Sequence, residues 1–104
     1  MSVPTYRNQV DRLTSDIAGL EKKVAQERSA ATRARGDALR AQNSIRPSSS
    51  QSTVLSRLRD VQRHEEKAAA HDRRAAQYSD QIATRRRSLT TAQASLERAE
   101  AQVR

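Results

Sequence analysis

The sequence predicts an all-α fold: a long antiparallel two-helix coiled-coil hairpin that dimerises into a four-helix bundle. Three observations predict it. A column of apolar residues, Val54, Val61, Ala68, Ala75, Ile82, Leu89, Leu96 and Val103, repeats every seven residues. A second stripe, Val3, Tyr6, Val10, Leu13, Ile17, Leu20 and Val24, alternates steps of three and four. Between the two lies one break, Arg46-Pro47-Ser48-Ser49-Ser50-Gln51-Ser52-Thr53. A repeat of about 3.5 residues keeps one edge of a helix turned toward a partner helix. A short polar connection makes two such helices antiparallel neighbours.

The first helix is read over about residues 4–45. Pro4 suits a first helical turn, and Ser2 or Thr5 can cap it. Its stripe meets Glu27 at one seam position and then resumes as Ala31, Ala34, Ala38, Ala41 and Ile45. The loop is placed at 46–53, because proline removes a helical hydrogen bond and serines favour turns and caps. The second helix is read over about 54–104, with Ser52 or Thr53 as its cap. It reaches Arg104 without a stop signal, which suggests the N-terminal part of a longer protein.

Folding back at the loop makes partner numbers add to about 99 or 100. Ile17 then meets Ile82, Val10 meets Leu89, and Ala31 and Ala34 fall near Ala68. Large residues oppose large ones toward the termini, and small oppose small in the middle. The second seam row of helix 2 is read four residues after the first, as Glu65, Asp72, Ser79 and Arg86. So polar a row either stays wet in a bare hairpin or finds partners in a second hairpin, and the shortage of core favours the second. The same register brings Glu27 near Arg73 and Arg74, where a charge on the seam would fix register or partner.

Composition supports association over an isolated compact monomer. Hydrophobic residues make up 35% of the 104, yet 17 of them are alanine, so little core volume is available. There is no cysteine, hence no disulfide framework and no thiolate metal site. No stretch approaches the roughly 20 apolar residues of a membrane span. The first residues lack the apolar segment of a signal peptide, so the expected location is cytoplasmic.

The net charge is +8, and arginine supplies 17 of the 20 basic residues. From Arg28 to Arg74 there are eleven basic residues against five acidic. The loop end of the hairpin is therefore the positive end, carrying Arg33, Arg35, Arg40, Arg46, Arg57, Arg59 and Arg63. Such a tip can meet nucleic-acid phosphates or another anionic surface. The bland alternative is a solvated helix face. No aromatic stacking platform or helix-turn-helix pattern accompanies the arginines.

His64 and His71 are seven residues apart, about 10 Å along a helix, too far to share one metal ion. They read as surface histidines. The sequence offers no catalytic set, no cofactor-binding loop and no metal-ligating cluster, and no small-molecule substrate is expected. The residues expected to carry function are the interaction seam: Val10, Leu13, Ile17, Leu20, Val24, Ile82, Leu89 and Leu96. The expected function is a non-catalytic oligomerisation and protein-interaction module, with a homodimer as the favoured state. Binding of nucleic acid or anionic surfaces through the arginine tip is the alternative.

Several short segments carry a resemblance. These are Ser2-Val3-Pro4-Thr5-Tyr6-Arg7, Ser50-Gln51-Ser52-Thr53, Arg63-His64-Glu65 and Lys67-Ala68-Ala69-Ala70-His71-Asp72. Together they resemble N-terminal coiled-coil regions of actinobacterial proteins with a downstream TIR or caspase-like effector domain. The resemblance implies a role in assembling or regulating such an effector in bacterial signalling or antiphage defence. In length the chain is also similar to the small helical hairpins exported by type VII secretion. It departs from them at the turn, where Arg46-Pro47-Ser48 stands in place of Trp-x-Gly, and at Ile82, where the export signal after Tyr78 requires an acid.

Overall fold

The computed structural model describes residues 2–103. They form two long helices that pack against each other as an all-α hairpin: α1, Val3–Asn43, and α2, Gln51–Val103. Position 104, where the second helix was expected to end, lies outside the described residues. No described helix is long and apolar enough to cross a membrane.

Both helix starts are set by serine. The Ser2 hydroxyl accepts from the Thr5 amide at 3.4 Å, and Pro4 sits in the first turn where its missing N–H costs nothing. In α2 the cap is Ser50. Its hydroxyl accepts from the Thr53 amide at 3.2 Å, and its carbonyl accepts from the Val54 amide at 3.0 Å. The expected caps, Ser52 and Thr53, instead lie inside the first turn. The earlier serine serves because Gln51-Ser52-Thr53 can all take helical geometry once one oxygen satisfies the free amides.

The turn also begins earlier than the sequence suggests. The Ser44 amide shares the Arg40 and Ala41 carbonyls at 3.1 and 3.3 Å, and its hydroxyl donates to the Ala41 carbonyl at 2.6 Å. The Ile45 amide donates to the Gln42 carbonyl at 3.2 Å. These i→i−3 bonds tighten and end α1 two residues before Ile45. Arg46, Pro47, Ser48 and Ser49 then make a β-turn. The Ser49 amide donates to the Arg46 carbonyl at 2.9 Å, and the Ser49 hydroxyl accepts from the Arg46 amide at 3.0 Å. Proline holds the second position, where its fixed φ is favourable. No described residue has positive φ, so the turn needs no glycine.

The chain divides into two compact units. The first joins residues 2–24 to 77–103. Its buried side chains are Ile17, Leu20, Val24, Ile82 and Ala92, with Val10, Leu13, Leu89 and Leu96 half-buried. The second unit spans 25–76 and contains the turn. Ala31, Ala34 and Ala68, at 1%, 3% and 1% exposure, form its best-excluded cluster, with Ala38 and Ala75 also buried. Methyl groups let two backbones approach closely, and that closeness leaves no room for a larger side chain.

The second seam row of α2 differs from the sequence reading. Glu65 and Arg86 are exposed. The row that turns inward lies three residues after the apolar column, not four. It carries His64, His71 and Tyr78, all half-buried, the exposed Arg85, the buried Ala92, and the half-buried Ala99; of the expected row, Asp72 and Ser79 are half-buried too. Burying Glu65 and Arg86 would strip two charges of water. The chosen row buries Ala92, half-buries Ala99 and rings whose polar tips reach the edge, and has a single always-charged member, Arg85, which stays exposed. Val103, the last member of the apolar column, is exposed.

Two stability measurements check this architecture. Ser50→Ala is expected to lower stability by about 0.5–2 kcal/mol in urea unfolding, whereas Ser52→Ala changes it little. Ala68→Leu is expected to cost about 1–3 kcal/mol through overpacking, while leucine at the exposed Ala76 is neutral.

Candidate interaction site

Glu27 interrupts the seam of α1 inside the 25–76 unit, and the inward row of α2 supplies its partners. The Glu27 carboxylate lies 2.5 Å from Nδ1 of His71 and 3.5 Å from the guanidinium of Arg74. The side chains of Glu27 and His71 are only 17% and 16% exposed. His71 is therefore not the surface histidine the sequence suggested, and it approaches Glu27 more closely than the expected arginine does. Asp72, expected on the inward row, instead pairs with Arg35 at the edge. The polar break in the α1 seam, Glu27, thus meets one of the polar members of the α2 row, His71.

The other cross-helix ion pairs are more exposed. In the first unit Glu21 meets Arg86 at 2.8 Å, Arg7 meets Glu100 at 3.6 Å, and Asp16 meets Arg85 at 4.0 Å. Lys23 lies 5.5 Å from the ring centre of Tyr78, within cation–π range. Exposed pairs of this kind contribute little stability, but they favour one register over its neighbours.

Small residues in the inward row leave open space in the first unit. A cleft of about 710 Å³ runs beside Tyr6 and Leu13 of α1 and Ala92 of α2. Asp16, Arg12, Arg85 and Arg87 line it with both signs of charge, and Ser88 and Ser95 complete its polar edge. Its apolar members are the half-buried Tyr6 and Leu13 and the buried Ala92, and the rest of its lining is polar or charged.

The tip arginines do not act as one group. Arg40 pairs with Asp37, Arg63 with Asp60 at 3.1 Å, and Arg35 with Asp72. Arg33, Arg46, Arg57 and Arg59 make no ion pair among the described residues and are exposed. At 100° per residue, Arg57 and Arg59 point to opposite sides of α2, as do Arg33 and Arg35 on α1. The guanidiniums surround the tip and form no single groove.

Searches of protein-family models, curated proteins and solved structures found no match to this chain. Among the described residues no group of three or more His, Asp or Glu side chains is placed to hold a metal ion. Three features were not read from the sequence: the Glu27–His71 contact, the cleft, and exposed leucines at 39, 55 and 58. The first was findable from the spacing, since residues 64, 71, 78, 85, 92 and 99 form a heptad row ending in two alanines.

A double-mutant cycle tests the polar layer. Glu27→Gln and His71→Gln are each expected to destabilise the hairpin. Their combined effect should fall short of the sum by roughly 0.5–3 kcal/mol, the range for groups in direct contact. Additive effects would mean that the two side chains do not meet.

Proposed function

We propose that this chain is a non-catalytic interaction module that works by pairing with a second copy of itself. The observation that supports the reading is the cleft over Tyr6, Leu13 and Ala92. It sets Tyr6, Leu13 and Ala92 among side chains bearing both signs of charge, so it suits a helix that itself carries apolar and mixed-charge faces. The chain's own helices have that character. Two hairpins joined this way would form the four-helix bundle expected from the shortage of core. On the resemblance to effector-bearing actinobacterial proteins, such pairing would bring downstream TIR or caspase-like domains together in the cytoplasm, as in signalling or antiphage defence.

Sedimentation and light scattering across a wide concentration range test this. The expected mass rises from that of one chain to that of two. Ser88→Arg adds a fourth positive group to the cleft wall beside Arg12, Arg85 and Arg87. It is expected to keep the helical circular dichroism and abolish the rise in mass. A chain that stays monomeric throughout, or a variant that dimerises normally, would sink the reading.

A further inference from the structure

Within the 25–76 unit, three leucines are left in solvent. Leu39 is 58% exposed, Leu55 48% and Leu58 49%. A coiled coil normally turns such residues inward, and alanine occupies the inward positions here. The three lie on one side of the unit. The Arg35–Asp72 ion pair marks that side. Leu39 follows Arg35 by four residues and so sits one turn further along the same face. Leu58 precedes Asp72 by two heptads, and Leu55 lies one turn from Leu58. The contact of Ala31 and Ala34 with Ala68 sets Leu39 level with about Val61. Leu58 and Leu55 are then about 5 and 10 Å nearer the turn along the axis. An apolar patch therefore bridges both helices.

Its surroundings are predominantly positive, although Glu65, exposed and in no ion pair among the described residues, follows Leu58 by one heptad on the same face. Between residues 33 and 63 there are seven arginines and two aspartates, Asp37 and Asp60. Both aspartates are already paired, with Arg40 and Arg63. Arg59 shares the arc of Leu55 and Leu58 and has no carboxylate partner among the described residues.

From this we infer that the leucine patch docks an acidic amphipathic helix of another protein. Leucine-type anchors at i, i+3 or i+4 of that helix enter between Leu39 and Leu58, and flanking Asp or Glu meet Arg59 and Arg46. A second copy is a poor occupant, because its own patch carries the same positive surround. A membrane surface is also a poor occupant. The leucines lie along the side of the unit, while the apex is the exposed Arg46-Pro47-Ser48. An interfacial helix needs a broader apolar face than these three residues give.

The test displays a library of amphipathic helices with fixed leucines at i, i+3, i+4 and i+7. The intervening positions are randomised among Glu, Gln and Lys, and the full chain is the bait. Glu is expected to outnumber Lys in the selected helices by roughly tenfold or more, the effect of about 1.4 kcal/mol. Leu55→Ser/Leu58→Ser is expected to lose the selection while keeping its helical signal, and Leu39→Ser on the other helix to lose it likewise. Ser88→Arg, which alters the cleft and not the patch, is expected to select the same helices. That separates this proposal from self-association. Equal use of Glu and Lys, or undiminished selection by the leucine variants, overturns it. So does leucine-dependent flotation with vesicles of equal parts phosphatidylcholine and phosphatidylglycerol in place of helix selection, which would assign the patch to a lipid surface.

Discussion

Every cross-helix contact in this chain depends on which diagonal row of α2 turns toward α1. The apolar column from Val54 to Leu96 can be accompanied by the row three residues later or the row four residues later. A helix rotation of about 100° separates the two choices. With the first, Ala92, Tyr78 and His71 face inward, while Arg86 stays at the edge to meet Glu21. With the second, Glu65 and Arg86 would both turn inward, two charges against the single Arg85 of the first, which stays exposed beside Asp16. Desolvation of charge costs more than any of these small side chains can return. The rotation of α2 is thus decided by what must stay wet, as much as by what gains from being dry.

That rotation accounts for the different character of the two units, each taken by itself. In residues 25–76, alanines face alanines and the helices approach until Ala31 and Ala68 are sealed. So little apolar area is buried there that volume alone specifies register weakly. Glu27 and His71 supply the missing specificity, because a shift of either helix by one turn leaves a half-buried carboxylate without its partner. In the unit of residues 2–24 and 77–103, Ile17, Leu20, Val24 and Ile82 set register by shape. Its ion pairs sit at the rim, where solvent screens them.

Much of the fold was legible because the heptad is a strong periodic signal. The two helices, their antiparallel sense and the approach of Ala31 and Ala34 to Ala68 all follow from spacing and one proline. The helix ends were less legible. Ser50, Ser52 and Thr53 are all good caps in sequence, and only the hydrogen bond to the Thr53 amide distinguishes them. The inward row was obscured for a physical reason. His71 and Tyr78 are ambivalent residues that serve in solvent or in a seam, so hydropathy does not rank their row above its neighbour. The exposed leucines were hidden by the same ambiguity, since their positions lie beside the seam and their exposure depends on the rotation of α2.

The two surfaces differ in a way that sets the kind of partner each tolerates. The cleft beside Tyr6 and Ala92 contains Arg12, Arg85 and Arg87 with Asp16, which Arg85 approaches only to 4.0 Å. A surface holding both signs can be laid against its own copy so that unlike charges meet, which is what a two-fold contact requires. Around Leu39, Leu55 and Leu58 the acids Asp37 and Asp60 are paired with Arg40 and Arg63, and Glu65 is the one exposed acid left on the row of Leu58. Against its own copy the patch opposes mostly arginine to arginine, with Glu65 alone to offset them. Apolar area alone would permit either pairing. The sign of the surrounding charge makes the cleft suited to a like partner and the leucine patch to an unlike one.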